Sequence, residues 1–183
     1  MAFSPRMGLA AAGVAALFHG SLALAVGTPV GTPITNTASV SFTVGGSTAT
    51  INSNPTSVTV AQILNVVTTV QTPSVIVAPS DANRPMTFRV TNTGNGADSF
   101  VLAPLSTLAG DNFDPTLAVP AIYLDTDNSG TFTAGDTAYV AGSNVNLAAD
   151  GVVTAFVMNN IPAALNNGDE GRSQLTATRS GGI

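Results

Sequence analysis

The chain has 183 residues, of which only 8% are charged, and its formal net charge at pH 7 is −5. An acidic chain without lysine repels phosphate backbones and anionic lipid, so nucleic acid and membrane surfaces are poor candidate partners. Cysteine is also absent, so core burial, a metal or assembly must stabilise the fold in place of disulfides.

The first 25 residues are predicted to be a secretory signal peptide. Arg6 supplies the charged start, residues 8–18 form the apolar segment, and an A-x-A cleavage sequence stands at 23–25. The apolar segment is shorter than the roughly 20 residues that a membrane helix needs, so we predict no membrane insertion after leader cleavage. The mature protein is then exported, to the cell surface or the extracellular space, with ten acidic residues against four arginines and a formal charge of −6.

Residues 26–56 are predicted to form an extended linker followed by a β-hairpin. A tandem Val-Gly-Thr-Pro sequence occupies 26–33 and is typical of extended linkers. Apolar and polar residues then alternate from 38 to 44, which is the period of a half-buried strand. Gly45-Gly46 is a turn signal, and residues 48–51 supply the return strand.

Residues 57–183 are predicted to fold as an immunoglobulin-like antiparallel β-sandwich. Short β-rich segments alternate with Gly, Asn and Pro turns, and the only helical signal is one turn within 108–117. Residues 152–158 are apolar on both faces, which indicates a central or interfacial strand. The predicted strands are 57–60, 63–70, 74–77, 86–91, 99–102, 121–124, 137–140, 152–158 and 172–178.

The fold class is therefore all-β, with a hairpin extension before the sandwich and a sandwich that lacks its last strand. Only five residues follow the segment 172–178, where an immunoglobulin-like sandwich would add one more strand. Two interpretations stay open. The sequence is a piece of a longer protein, or a neighbouring molecule's extended segment pairs with the exposed sheet edge.

Residues 125–136 carry the one pattern that points to specific chemistry. Oxygen-bearing side chains occupy positions 1, 3, 5, 9 and 12 of a twelve-residue loop, with glycine at position 6. This spacing wraps a chain around Ca²⁺, whereas Mg²⁺ resists losing its water. The predicted ligands are side-chain oxygens of Asp125, Asp127, Ser129, Thr133 and Asp136 and the backbone carbonyl of Thr131.

Two features qualify this calcium prediction. Asp136 stands where such loops usually carry Glu, and its shorter side chain predicts weaker binding through one oxygen. Phe132 stands at position 8, where an apolar residue commonly anchors such loops in a core. The alternative is a turn rich in Asp, Asn and Gly that needs no ion, because these side chains can cap turns unaided.

The residue inventory argues against an enzyme and supplies no catalytic residue. Without histidine or cysteine in the mature chain, Ser-His-Asp and Cys-His sites and common Zn²⁺ spheres cannot form. Without lysine, Schiff bases, Ser-Lys dyads and a P-loop are excluded as well. Paired-carboxylate hydrolysis remains, but Glu170 is the only glutamate, and Asp125 with Asp127 is better explained by a metal.

Three segments together resemble exported bacterial surface proteins built from conserved immunoglobulin-like repeat domains of unknown function. They are residues 36–42, residues 90–96 with their Asn-Thr-Gly-Asn-Gly turn, and the loop 125–136, which is similar to the calcium loops of dockerin-type and adhesin repeat domains. The resemblance covers about residues 28–178 and implies a structural or adhesive module, not an enzyme. Such proteins usually continue beyond the point where this chain stops.

Two functions compete on this sequence. The first is a secreted structural or adhesive surface module that calcium rigidifies and that assembles into fibres by strand donation, through self-association or contact with other surface proteins. The second is a soluble sandwich module that binds a glycan or a protein ligand through its loops. The shortage of aromatic residues, 5% of the chain and no tryptophan, speaks against glycan stacking.

Overall fold

A computed structural model describes residues 27–181, so the predicted signal peptide lies outside the described residues. The prediction of an all-β fold is confirmed. No helix in the described part of the chain is long and apolar enough to cross a membrane. The described residues form twelve strands, which are β1 (Pro33–Asn36), β2 (Ser39–Val44), β3 (Ser47–Asn52), β4 (Thr56–Thr59), β5 (Val66–Val70), β6 (Arg84–Asn92), β7 (Asp98–Leu105), β8 (Thr116–Leu124), β9 (Thr137–Ala138), β10 (Val145–Leu147), β11 (Val152–Asn160) and β12 (Gln174–Arg179).

Two antiparallel sheets face each other across the main apolar core. The larger sheet has five strands in the order β5-β6-β11-β8-β9, and the smaller has three in the order β10-β7-β12. Both sheets contribute buried side chains to one cluster, which is the arrangement of a two-layer sandwich. Its buried members are Phe88, Val90, Phe100, Leu102, Ile122, Tyr139, Val145, Leu147, Ala155, Val157 and Leu175.

The strand β11 lies at the centre of the larger sheet, between β6 and β8. Ala155 and Val157 point to the main core, whereas Phe156 and Met158 form a second buried cluster with Ala118. Both faces of β11 are therefore covered, which confirms the prediction that its doubly apolar sequence marks a central strand.

The N-terminal strands form a separate two-stranded ribbon, the arm, comprising residues 33–59. β1 pairs with β4, and β2 pairs with β3 through a turn at Gly45-Gly46 in which both glycines have positive φ, 59° and 84°. A tight two-residue hairpin turn of this type requires positive φ at both central residues. The predicted hairpin is therefore confirmed. Every residue of the arm is exposed.

The two faces of the β2–β3 hairpin differ in chemistry. Hydroxyl pairs bridge the strands on one face, with Oγ–Oγ1 distances of 2.7 Å for Ser41–Thr50 and 3.2 Å for Thr43–Thr48. Val40, Phe42 and Val44 have the opposite parity in β2, so they lie together on the other face, with Ala49 and Ile51 of β3. The arm thus presents a continuous apolar face to solvent.

The turn Asn92–Gly96 attaches this arm to the sandwich. The Asn95 side chain accepts a hydrogen bond from Ile63 N at 2.7 Å and donates to the carbonyl oxygens of Thr28 and Ala61 at 3.1 and 3.0 Å. Gly94 permits the close approach, because a Cβ there would lie 2.5 Å from Ile63 O. The base of the arm, where residues 28–32 and 60–63 lead into and out of it, is therefore fixed by partly buried polar contacts.

Five sequence expectations differ from the structure. The predicted strand at 74–77 is wrong, because these residues have no neighbouring strand with which to form a ladder. The helical turn expected within 108–117 is also wrong, since no residue there is helical and β8 already begins at Thr116. The strand predicted at 63–70 starts only at Val66, and the strand predicted at 137–140 is reduced to β9. The strand predicted at 57–60 as part of the sandwich corresponds to β4, which pairs with β1 in the arm. The structure adds β1 and β10, which sequence patterns did not indicate.

Tyr139 cross-links the two sheets of the sandwich. It follows β9 of the larger sheet, and its hydroxyl accepts a hydrogen bond from Leu102 N of β7 at 3.0 Å. The same hydroxyl donates to Ser143 O. The Tyr139 hydroxyl therefore provides an acceptor for the buried amide of Leu102. β10 does not reach this amide, because it pairs only with residues 98–100 of β7.

We expect Tyr139→Phe to lower the free energy of unfolding by about 1–3 kcal/mol, because it leaves the buried Leu102 amide without an acceptor. Urea denaturation measures the change. Tyr123→Phe is the matched control, since that ring packs against Phe132 through its edge and its hydroxyl makes no hydrogen bond in the described chain. Equal losses in both variants would contradict a structural role for the Tyr139 hydroxyl.

Candidate metal centre

The loop 125–136 connects β8 to β9 at an edge of the larger sheet. The two strands pair through only two positions, Tyr123 with Ala138 and Leu124 with Thr137. Beyond them, Thr126 Oγ1 donates to Gly135 O at 2.9 Å and closes the base of the loop. Asn128 and Gly130 have positive φ values of 56° and 72°, which turn the chain back on itself.

Three carboxylates converge inside this loop. Asp125, Asp127 and Asp136 each offer an oxygen, and these three oxygens lie within 4.8 Å of one another. Asp125 and Asp136 are partly buried, and Asp127 is exposed. Like charges this close repel one another unless hydrogen-bond donors or a cation compensate them. The donors available to each oxygen therefore decide whether the cluster needs a cation.

Backbone amides of the loop compensate part of this charge. Asp125 accepts from the Ser129 and Gly130 amides at 3.0 and 2.9 Å, and Asp127 accepts from the Ser129 amide at 2.9 Å. Asp136 Oδ2 accepts from Thr133 N at 2.6 Å. These are the contacts of an Asx-capped turn, so the loop shape alone fits both the calcium prediction and its ion-free alternative.

One oxygen distinguishes the two interpretations. Asp136 Oδ1 is buried and has no hydrogen-bond partner in the described chain. A buried carboxylate oxygen without a donor is costly, and the missing partner must be a cation, a proton or water. Asp125 and Asp127 each present an oxygen within 4.8 Å of an Asp136 oxygen, so a cation bound between them would meet three anionic carboxylates.

The remaining predicted ligands take part in hydrogen bonds within the loop. Ser129 Oγ donates to Thr131 O at 2.7 Å, so the predicted hydroxyl and carbonyl ligands are paired with each other. Thr133 Oγ1 donates to Asp127 Oδ2 at 2.7 Å. The structure therefore brings the three aspartates together. Ser129 and Thr131 would have to exchange their mutual hydrogen bond for an ion.

Phe132 anchors the loop to the outer face of the larger sheet. Its ring lies edge-to-face on Tyr123 and Phe156, with centroid distances of 4.9 and 5.9 Å. Phe156 is completely buried, whereas Phe132 itself keeps 37% of its surface exposed. The loop thus covers part of the second core cluster, so its conformation and the packing over β11 depend on each other.

Two contributors to the loop were not identified from the sequence, Thr126 and Gly135. A Cβ at Gly135 would lie 3.0 Å from Asp127 Oδ2, so this glycine leaves space for the carboxylate. Neither residue falls on a ligand position of the calcium pattern, and their roles follow only from the closed geometry.

The pKa of Asp127 is lowered to about 2 from its usual 3.8, first by the hydrogen bond from the Thr133 hydroxyl and then by those from Ser129. A lowered pKa in the folded state favours the ionised carboxylate. The resulting stabilisation is present above pH 3.8 and is lost as the pH falls through about 2. Near neutral pH the Asp127 carboxylate is therefore anionic.

We expect Thr133→Val to raise the pKa of Asp127 towards 3.8, because the largest stabilising hydrogen bond to the carboxylate is removed. A ¹³C NMR titration of the Asp127 carboxyl from about pH 1.5 to about pH 6 follows the change, because this range includes both pKa values. Thr137→Val is the control, since its hydroxyl contacts Thr126 and no carboxylate. An unchanged Asp127 midpoint in the Thr133 variant would show that this hydroxyl does not set the pKa.

Comparison with known proteins supplies no relative for this chain: no family model, no curated protein and no solved structure matches it. The geometry of the loop and the chemistry of the sandwich are therefore the grounds on which a function can be proposed.

Proposed function

We propose that the protein is an exported, non-enzymatic structural or adhesive module of the cell surface, rigidified by Ca²⁺ bound in the loop 125–136. The observation that carries this proposal is the convergence of Asp125 and Asp127 on Asp136, whose buried Oδ1 has no other partner. The module self-associates or contacts other surface proteins. Its sandwich is proposed to be immunoglobulin-like, which the two facing antiparallel sheets support.

Calcium suits this site better than the other common metals. The available donors are carboxylate, hydroxyl and carbonyl oxygens, which hard cations prefer, and nitrogen or sulfur donors for zinc are lacking. Three carboxylates on a partly exposed loop suit the long and irregular ligand distances of Ca²⁺. Mg²⁺ requires a compact octahedral shell and keeps several of its waters, so it would form fewer bonds to the oxygens of such a loop.

The ion would act mechanically. Asp125 directly follows β8 and Asp136 directly precedes β9, so a cation bound by both ties together two strands that share only two paired positions. Because Phe132 packs on Phe156, tightening the loop also fixes the covering of the larger sheet. The absence of histidine, cysteine and lysine from residues 27–181 supports a structural instead of a catalytic role.

Calorimetric titration of the protein from residue 26 with Ca²⁺ tests the site. At 100 times the dissociation constant, binding to the native state adds about 2.7 kcal/mol of stability, which raises the melting temperature by about 5–10 °C. Asp136→Asn is expected to keep the hydrogen bond from Thr133 N and to abolish both the heat and the Ca²⁺-induced shift. Without calcium this variant melts no lower than the wild type, because one converging charge is removed.

Asp114→Asn provides the matched control, since it removes one negative charge from an exposed position outside the cluster. This control should retain the binding heat and the thermal shift. Identical heats and melting temperatures with and without Ca²⁺ in the wild-type protein would refute the calcium part of the proposal.

A further inference from the structure

The arm and an open groove lie at opposite poles of the sandwich. β6 runs from Arg84 to Asn92, and the arm is fixed by the turn that follows its C-terminal end. The groove surrounds its N-terminal end, beside Arg84 and Met86. Strand β5 is antiparallel to β6 and confirms the polarity, since Val66 pairs with Asn92 and Val70, a groove residue, pairs with Phe88.

The groove is a cavity of about 480 Å³ with a largely apolar wall. Residues of β5 and β6 and of three further segments, 73–77, 108–115 and 159–161, line it. The segment 169–173 forms one rim. Asp111 and Asn112 hold that rim in place by accepting hydrogen bonds from the amides of Arg172 and Glu170 at 2.9 and 3.0 Å. The apolar lining residues include Val70, Val75, Val77, Met86, Leu108 and Ile161.

Residues 74–77 form a groove wall that has the properties of an unpaired strand. Val75 and Val77 are half-buried and line the groove, whereas Ser74 and Ile76 are exposed, Ile76 by 94%. In the described chain, none of the four amides of 74–77 donates a hydrogen bond. This alternation with free amides is what a strand shows when its neighbour is missing.

Both ends of this wall are fixed, so its free amides are held in place. The amides of Gln71 and Thr72 donate to Thr87 O, and the Ala78 amide donates to Asp81 Oδ2 at 2.9 Å. Arg84 Nη2 donates to Ile76 O at 3.0 Å. An incoming strand would meet a template that is already ordered, which lowers the entropic cost of adding it.

The arm has the complementary chemistry. No charged residue occurs between 27 and 80, so neither edge of the β2–β3 hairpin carries the charges by which natural sheets prevent edge-to-edge pairing. Phe42 is 44% exposed on the apolar face of β2, and Val40 and Val44 flank it on that face. An isolated two-stranded hairpin is marginally stable in water, so this face requires a cover.

We propose that the arm of one molecule docks in the groove of a second copy, with the free edge of β2 (Ser39–Val44) pairing with residues 74–77 and Phe42 entering the groove. This proposal deepens the self-association part of the proposed function and rests on it. Because donor and acceptor lie at opposite poles, the contact is head-to-tail. Unless the rotation between copies closes a ring, such a contact produces an open filament.

The reach of the arm is sufficient for this contact. The run from Pro33 to Val44 comprises twelve residues and spans at most about 40 Å at the rise of a β-strand, whereas the nine residues of β6 span about 30 Å. The arm is therefore longer than the body strand to whose end it is attached. Since every residue of the arm is exposed, the arm is free to reach the groove of a neighbour.

Charge favours a second copy as the occupant. All ten acidic residues lie from 81 to 170 and the four arginines of the body from 84 to 179, so the bodies carry a formal charge of −6 and repel one another. The uncharged arm can approach an acidic body without this penalty, and it offers no charge that would select a basic or acidic foreign partner. The same chain thus supplies both halves of the contact.

Two charge-introducing variants, each with a matched control, test the contact by sedimentation velocity and electron microscopy. Phe42→Asp alters the apolar face of β2, and Thr48→Asp puts the same charge on the polar face of β3, away from the docking edge of β2. Val75→Asp alters the groove wall, and Val140→Asp puts a charge on a valine that is 70% exposed elsewhere on the body. We expect Phe42→Asp and Val75→Asp to raise the concentration needed for assembly by at least about tenfold, and the controls to assemble like the wild type.

Mixing the two assembly-deficient variants distinguishes head-to-tail docking from other contacts. Val75→Asp molecules keep an intact arm and Phe42→Asp molecules keep an intact groove, so the mixture should form one-to-one dimers that do not extend. The presence of these dimers also shows that each variant is folded. Contact between two arms predicts instead that Val75→Asp alone assembles like the wild type, which would overturn the proposal.

The outcomes separate this inference from the proposed function. A wild-type protein that stays monomeric at all concentrations would refute self-association and the docking mode together. Wild-type assembly that survives Val75→Asp would refute only the docking mode. Calcium binding is measured independently, since neither Phe42 nor Val75 lies in the loop 125–136.

Discussion

Two buried asparagine side chains hold the parts of this molecule together. Asn92 Nδ2 lies 2.9–3.0 Å from the carbonyl oxygens of Gly96, Leu147 and Ala148, which ties the end of β6 to the end of β10 in the other sheet. Asn95 ties the same turn to the base of the arm. Both side chains are almost fully buried, so they can be satisfied only by these backbone partners.

This turn explains how a lightly charged chain without disulfides can keep an exposed ribbon in a defined direction. The arm has no apolar core of its own, and its order depends on its base. The Asn95 side chain hydrogen-bonds to two backbone segments, at Thr28 and at residues 61–63, and such bonds are directional, whereas apolar packing alone would allow the arm to rotate. If the arm is an assembly element, the Asn92–Gly96 turn sets the angle between successive molecules.

The loop 125–136 lies at the β9 edge of the larger sheet and is held by a different kind of contact. Its backbone amides compensate most of the carboxylate oxygens, and this explains why the loop folds locally. They leave Asp136 Oδ1 without a donor, although that oxygen is buried. A cation would complete the compensation and join the ends of β8 and β9, which share too few backbone hydrogen bonds to be firmly held.

Local patterns in the sequence predicted the features that depend on neighbouring residues. The β2–β3 hairpin follows from alternation around Gly45-Gly46, and the meeting of Asp125, Asp127 and Asp136 follows from their spacing in one short loop. Long-range features could not be predicted in this way. The segment 74–77 has the composition of a strand, and only the sheet order shows that no strand lies beside it.

Amide hydrogen exchange with and without Ca²⁺ tests the claim of a calcium-tightened module most directly, because it measures the rigidity of the loop residue by residue. The account predicts that exchange of the amides from Thr126 to Thr137 slows markedly on addition of Ca²⁺, while amides of the central strand β11 remain equally protected. Unchanged exchange throughout the loop at saturating Ca²⁺ would contradict it.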